Sequence, residues 1–130
     1  MADDIKHILR DKSKAFAIRI VRLSQYLQEN FHEYVLSRQV LKSGTSIGAN
    51  IRESKNAQSI SDFISKLEIA LKESDETEYW LEILHETGYI SDDEFDSVVT
   101  DNTELTAMLV SIVKSSKKKR EIENNSNNIN

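Results

Sequence analysis

Three short strings in this 130-residue chain hold residue types that do chemistry in other proteins. Glu29-x-x-His32 and Glu82-x-x-His85 each set a carboxylate and an imidazole three positions apart. Two such pairs, joined by a Glu from each of two further helices, build di-iron and di-manganese centres inside four-helix bundles. Placement argues against that here. Glu29 and His32 fall at a break between helical segments, and Glu82 projects about 60° away from the face carrying His85 and Leu81. The apolar stripes of the first two segments contain no additional carboxylate. His7 is isolated and reads as surface. The third string, Gly44-Thr45-Ser46-Ile47-Gly48, spells G-x-S-x-G. A nucleophile elbow needs a strained turn between a strand and a helix, and nothing before Gly44 reads as a strand. With no cysteine there is no disulfide, thiolate nucleophile or thiolate metal site. H-E-x-x-H and glycine-rich phosphate loops are also missing. The expectation is a protein without catalytic residues, metal or cofactor.

The elements that must position these residues follow from composition and periodicity. The chain has no proline and three glycines, where average usage gives about six and nine. Sandwiches, barrels and tight βα turns need those residues, so the fold class is all-α. Placing side chains at 100° per residue yields four amphipathic segments. The first, about 4–28, aligns Ile5, Leu9, Phe16, Ile20, Leu23 and Leu27. Asn30 then caps a second, about 32–56, with Glu33 completing a capping box; Leu36, Val40, Ile47 and Ile51 form its stripe. Ser59 caps a third, about 60–86, with Ile60, Phe63, Leu67, Ala70, Ser74, Thr77, Leu81 and Leu84 in line, and Gly88 ends it. Ser91 and Glu94 form an S-x-x-E box opening a fourth, about 92–114, along Phe95, Val98, Asn102, Leu105, Leu109 and Ile112. Connections this short make neighbours antiparallel, an up-down-up-down four-helix bundle over residues 1–114. The Lys- and Asn-rich tail, 115–130, buries too little to order itself and is expected to fray or be disordered.

The N-terminal Met1-Ala2-Asp3-Asp4 is acidic where a secretory leader is basic and then apolar, and no run of about 18 apolar residues occurs. The expectation is a cytoplasmic protein that does not enter the membrane. Its net charge of −5 conceals a split. Residues 1–57 hold ten Lys/Arg against six Asp/Glu, residues 58–113 hold two against fourteen, and residues 114–130 hold five against two.

Several positions ask for a neighbour. Gly44 and Gly48 each cost about 1 kcal/mol inside a helix, which close approach of another helix explains, within the bundle or from a neighbouring subunit. Gln39, Ser46, Asn50 and Glu53 run as a polar stripe beside Ile47 and Ile51. On the third segment, Glu73 and Glu76 flank a second apolar face of Ile69, Trp80 and Ile83. A wide core stripe with Trp80 half-exposed accounts for that face, and a subunit interface accounts for it better, since helices with two apolar faces serve two neighbours. Lys6, Arg10, Lys12, Lys14, Arg19 and Arg22 make the first segment basic, with Lys12 and Arg19 on one flank. An oligomer would gather them into an anion or nucleic-acid surface, or pair them with the acidic third segment of another copy. Lys117, Lys118, Lys119 and Arg120 read as a solvated tail or a weak nucleic-acid tether.

Ser37-Arg38-Gln39-Val40-Leu41-Lys42-Ser43-Gly44-Thr45-Ser46-Ile47-Gly48-Ala49-Asn50-Ile51-Arg52-Glu53, followed by Asp62 to Leu81 with its S-x-E-T-E-Y-W-L string, resembles the bacterial four-helix-bundle family named for proteins encoded in intervening sequences of 23S ribosomal RNA genes. The resemblance spans about residues 10–113. It implies a ring-shaped homopentamer without enzymatic activity. The family includes the accessory variability determinant of diversity-generating retroelements, a basic pentamer that contacts reverse transcriptase and nucleic acid; this chain is net negative. By match to the motif, Asn50, Arg52, Glu53, Glu73, Glu76 and Trp80 are interface or scaffold positions. The expected function is a non-catalytic, ring-forming scaffold that binds a protein or RNA partner. The alternative is a nucleic-acid-binding accessory factor using the basic first helix.

Overall fold

The computed structural model describes residues 2–128. It consists of four helices: α1 (Ala2–Phe31), α2 (Val35–Ser54), α3 (Ile60–Glu86) and α4 (Asp92–Asn128). Each helix packs on the next, and α4 returns to α1 to close an antiparallel bundle. The apolar stripes meet at its centre. Leu9, Phe16, Ile20, Leu27, Val40, Ile47, Leu67, Leu81, Leu84, Val98, Leu105 and Leu109 are buried. Ile5 departs from its stripe and stays exposed, one turn before the buried run begins at Leu9.

Local chemistry sets both ends of α3. Ser59 Oγ accepts from the Asp62 N–H at 3.0 Å, and the Asp62 carboxylate accepts from the Gln58 N–H at 3.2 Å. At the other end Gly88 takes φ +84°. Its N–H donates to His85 O at 3.1 Å while the Tyr89 N–H donates to Leu84 O at 2.9 Å, the paired bonds of a Schellman stop. Ser91 Oγ then accepts from the Glu94 N–H at 3.1 Å to open α4.

The α1–α2 junction differs from expectation. Asn30 does not cap α2; its side-chain amide donates to Tyr26 O, one turn back in α1, at 3.0 Å. The helix runs on to Phe31 and stops where His32 adopts φ +53°. Glu33 serves α2 by accepting from the Ser37 N–H at 2.9 Å, and Tyr34, the residue before the helix, makes no side-chain cap. The cause is tertiary. The Phe31 ring meets Tyr26 edge-on at 5.7 Å and Tyr89 of the α3–α4 turn at 5.2 Å, so the last turn of α1 gains aromatic contacts by continuing.

The C-terminal segment differs too. Where fraying was expected from 115, α4 continues as a helix to Asn128. Lys, Arg and Glu are good helix formers and no Gly or Pro interrupts them. Lys117 Nζ lies 3.0 Å from Glu68 Oε2, and Arg120 donates to Ser61 Oγ at 3.2 Å, so the extension is tied to the first half of α3. Met1, Ile129 and Asn130 lie outside the described residues.

α2 passes through Gly44 and Gly48 without a break. A Cβ at Gly44 would stand 2.8 Å from both Cγ atoms of Ile20, and one at Gly48 would stand 3.3 Å from the backbone oxygen of Ser13. The close neighbour of both is α1 of the same chain. Small and polar residues line the other seams: the Thr77 and Ser43 hydroxyls meet at 3.0 Å between α3 and α2, and Asn102 of α4 donates to Ser74 O of α3 at 2.9 Å.

Candidate functional site

Two stripes, one read on each of the second and third segments, come together on a single face. By helical spacing Gln39, Ser46, Asn50 and Glu53 share the flank of α2 beside Ser43, which meets Thr77 of α3. Ile69, Glu73, Glu76, Trp80 and Ile83 share the flank of α3 beside Thr77, where Lys42 acts on Glu73. Lys66 of α3 stands 3.9 Å from Glu53 at one end of this seam. The α2 polar groups serve their own helix: Ser46 Oγ donates to Lys42 O at 2.6 Å and the Asn50 amide to Ser46 O at 2.8 Å. Ser46 therefore sits mid-helix with its hydroxyl committed, which is not the geometry of a nucleophile elbow.

On α3 the apolar members are unevenly covered. Trp80 and Ile83 are half-buried, Trp80 packing against the core, while Ile69 is 38% and Tyr79 55% exposed. The Trp80 indole N–H donates to Glu76 Oε2 at 3.2 Å, and the Tyr79 ring meets Trp80 edge-on at 5.1 Å. Burial pushes the Glu73 carboxyl above the ordinary value of 4.5, Glu76 pushes the same way, and Lys42 opposes. An acid with a raised folded value binds its proton more tightly in the folded state, so folding is favoured less as pH rises through that range. Glu73→Gln is therefore expected to melt slightly higher than the native chain at about pH 7 and to lose that advantage below about pH 4. Thermal melts at the two pH values check this.

The basic residues of α1 divide by flank as their spacing indicates. Lys12 and Arg19 turn toward α4 of the same chain. Lys12 Nζ reaches Glu104 Oε2 at 3.1 Å. Arg19 reaches Asp101 Oδ2 at 2.8 Å and Glu94 Oε1 at 3.6 Å, and donates to Ser97 Oγ at 2.8 Å. Sequence reasoning located the acidic block and offered its third-segment part, in another copy, as one of two uses for these cations; pairing with α4 of the same chain was not foreseen. The missing signal was topological: in an up-down bundle the first and last helices are neighbours, so α4 carboxylates face α1 cations within one chain. Lys14 and Arg22 remain on the outer face of α1, around exposed Ile18 and Val21. Lys117 and Arg120 are engaged with α3 as described, and Lys118 and Lys119 are exposed.

The two E-x-x-H strings do not converge. Glu29 and His32 are both exposed at the α1 terminus. His85 stacks on Phe95, ring centroids 4.3 Å apart, and its Nε2 lies 2.6 Å from Asp92 Oδ1, while Glu82 is exposed. Among the described residues no three His, Asp or Glu side chains come close enough to share a metal ion. No helix among them is long and apolar enough to cross a membrane.

No curated protein matches the chain. Among solved structures it is similar to a protein of unknown function from the S23 ribosomal protein family of Bacteroides thetaiotaomicron. The two are 53% identical and superpose with a TM-score of 0.84, over 85% of this chain and 98% of that one. The profile of the 23S rRNA-intervening sequence proteins matches residues 6–111, which takes in α2, α3 and most of α1 and α4. With the bundle, the α2–α3 face and the S-x-E-T-E-Y-W-L string in place, the chain belongs to the 23S rRNA-intervening sequence protein family.

Proposed function

We propose that this chain is a non-catalytic, homo-oligomeric helical scaffold whose copies join through the α2–α3 face around Trp80. The observation that carries this reading is the second apolar face of α3. The helix already buries Leu67, Ala70, Leu81 and Leu84 on one side, yet keeps Ile69, Tyr79, Trp80 and Ile83 on another. An isolated bundle covers that face only in part, leaving Ile69 and Tyr79 exposed, whereas a subunit contact buries it, with a tryptophan of the kind enriched at such contacts. Glu73 and Glu76 rim it opposite Lys42, a polar border that would fix register. Closed rings are the ordinary outcome of one repeated contact, and the family resemblance implies five copies. The ring would present α1 and the end of α4 to a protein or RNA partner in the cytoplasm.

Nucleic-acid binding by the basic first helix has less support, because Lys12 and Arg19 already neutralise α4 carboxylates. Sedimentation velocity tests the assembly. Trp80→Asp and, because it starts from an exposed position, Ile69→Asp are each expected to shift the protein to monomer while leaving its helical content unchanged. Retention of the native sedimentation coefficient by both variants would remove this face from the interface.

A further inference from the structure

Where the first turns of α1 meet the α2–α3 turn, a cavity of about 380 Å³ opens between the helices. Its floor is apolar, formed by Leu9, Ile51, Phe63, Leu67 and Ile112. Its rim carries Lys6, Arg10, Arg52 and Lys55, and no described Asp or Glu lines it. Lys6 Nζ lies over the Phe63 ring, 4.8 Å from its centroid. Arg10 donates to His7 Nδ1 at 2.8 Å. Since the guanidinium keeps its protons, His7 Nδ1 is the acceptor of this bond. Arg10 also has Asp11 at 3.7 Å, a carboxylate open to solvent. No ion pair among the described residues engages Lys6, Arg52 or Lys55.

Four cations around an apolar floor repel one another, and the low dielectric below them strengthens that repulsion. Lys12, Arg19, Lys66 and Lys117 each face a carboxylate across a helix seam. At this mouth no carboxylate is among the described lining residues, while four cationic side chains are. The cavity is within the size range of small-molecule sites and has their usual build, an apolar body with a few polar groups that orient the ligand. A ligand that supplies both missing parts has an apolar chain for the floor and a negative head for the rim.

We infer that this cavity binds a small amphipathic anion, an aliphatic chain ended by a carboxylate or a phosphate. None of the residues that make up the Trp80 face lines this cavity, so its failure and the failure of the assembly are separate results. Isothermal titration of the native protein with decanoate, decyl phosphate, decanol and decylamine tests it. One decanoate or decyl phosphate per chain is expected to bind, the tighter of the two naming the head group, with the neutral and cationic analogues at least about tenfold weaker. Across hexanoate, octanoate and decanoate, each added methylene should tighten binding about threefold to fourfold. The double variant Arg52→Glu/Lys55→Glu changes two exposed side chains and is expected to weaken decanoate at least about tenfold. Ala57→Phe, which fills the mouth, should abolish binding with the charges intact. Equal binding of decanoate and decanol, unchanged binding by the double variant with native circular dichroism, or no binding by either anion would overturn the inference.

Discussion

Gly44→Val is expected to lower the free energy of unfolding by about 3 kcal/mol, although valine is the better helix former by a few tenths. The added Cβ alone would stand 2.8 Å from Cγ1 and Cγ2 of Ile20 and 3.1 Å from its Cβ. Ile20 is fully buried and branched at that carbon, so it has no free end to swing away. Either α1 and α2 separate, opening gaps beside Phe16 and Ile47, or Ile20 leaves its rotamer; both are overpacking costs. Gly48→Ala is the contrast. Its Cβ would meet the Ser13 backbone oxygen at 3.3 Å, a conflict that a shift of a few tenths of an ångström relieves, and the gain of about 1 kcal/mol in helix propensity offsets it. Urea denaturation of the two variants checks both. A Gly44→Val midpoint at or above the native one would mean that the glycine does not serve α1–α2 contact.

Asn102→Asp is expected to cost about 3–5 kcal/mol near neutral pH, a larger effect for a smaller change in shape. Asn102 is 2% exposed; its amide donates to Ser74 O at 2.9 Å, and its Oδ1 has no partner among the described residues. Aspartate would set an anion against the Ser74 carbonyl, at a position whose Oδ1 has no hydrogen-bond donor among the described residues. It can restore the bond only by keeping a proton, so its folded-state value rises above the unfolded one. For an acid shifted that way, stability falls as pH rises through the range, and the penalty should shrink toward about pH 4. Asn102→Leu removes the orphan acceptor together with the bond and is expected to fall within about 1 kcal/mol of the native chain, or above it. If so, the asparagine is kept for the register of α4 on α3 rather than for stability. Thermal unfolding of Asp and Leu variants across pH distinguishes these outcomes.

What the sequence disclosed divides along the line between local and long-range causes. Both ends of α3 were legible because Ser59 and Gly88 act on backbone groups within a few residues of themselves. The start of α2 was not, because Phe31 extends α1 for a contact with Tyr89, 58 positions along the chain. The helical course of residues 115–128 was missed for a similar reason: composition shows that these residues bury little, but not that Lys117 lands beside Glu68. The same limit applied to the candidate site. Periodicity isolated the polar stripe of α2 and the second apolar face of α3 as separate features, and packing placed them side by side. The charge split was plain in the sequence, yet its use within the chain, Arg19 to Asp101 and Lys12 to Glu104, required knowing which helix closes the bundle. The cationic cavity draws on positions from Lys6 to Ile112 and has no signature in any one segment.

The proposed assembly rests on α3 having a face that a lone bundle leaves half-covered. Light scattering coupled to size exclusion on the purified native chain tests it most directly. The account predicts a single species with a mass several times the 14.9 kDa of one chain, falling to 14.9 kDa in Trp80→Asp with its helical spectrum intact. A native mass of 14.9 kDa throughout the working concentration range would contradict it.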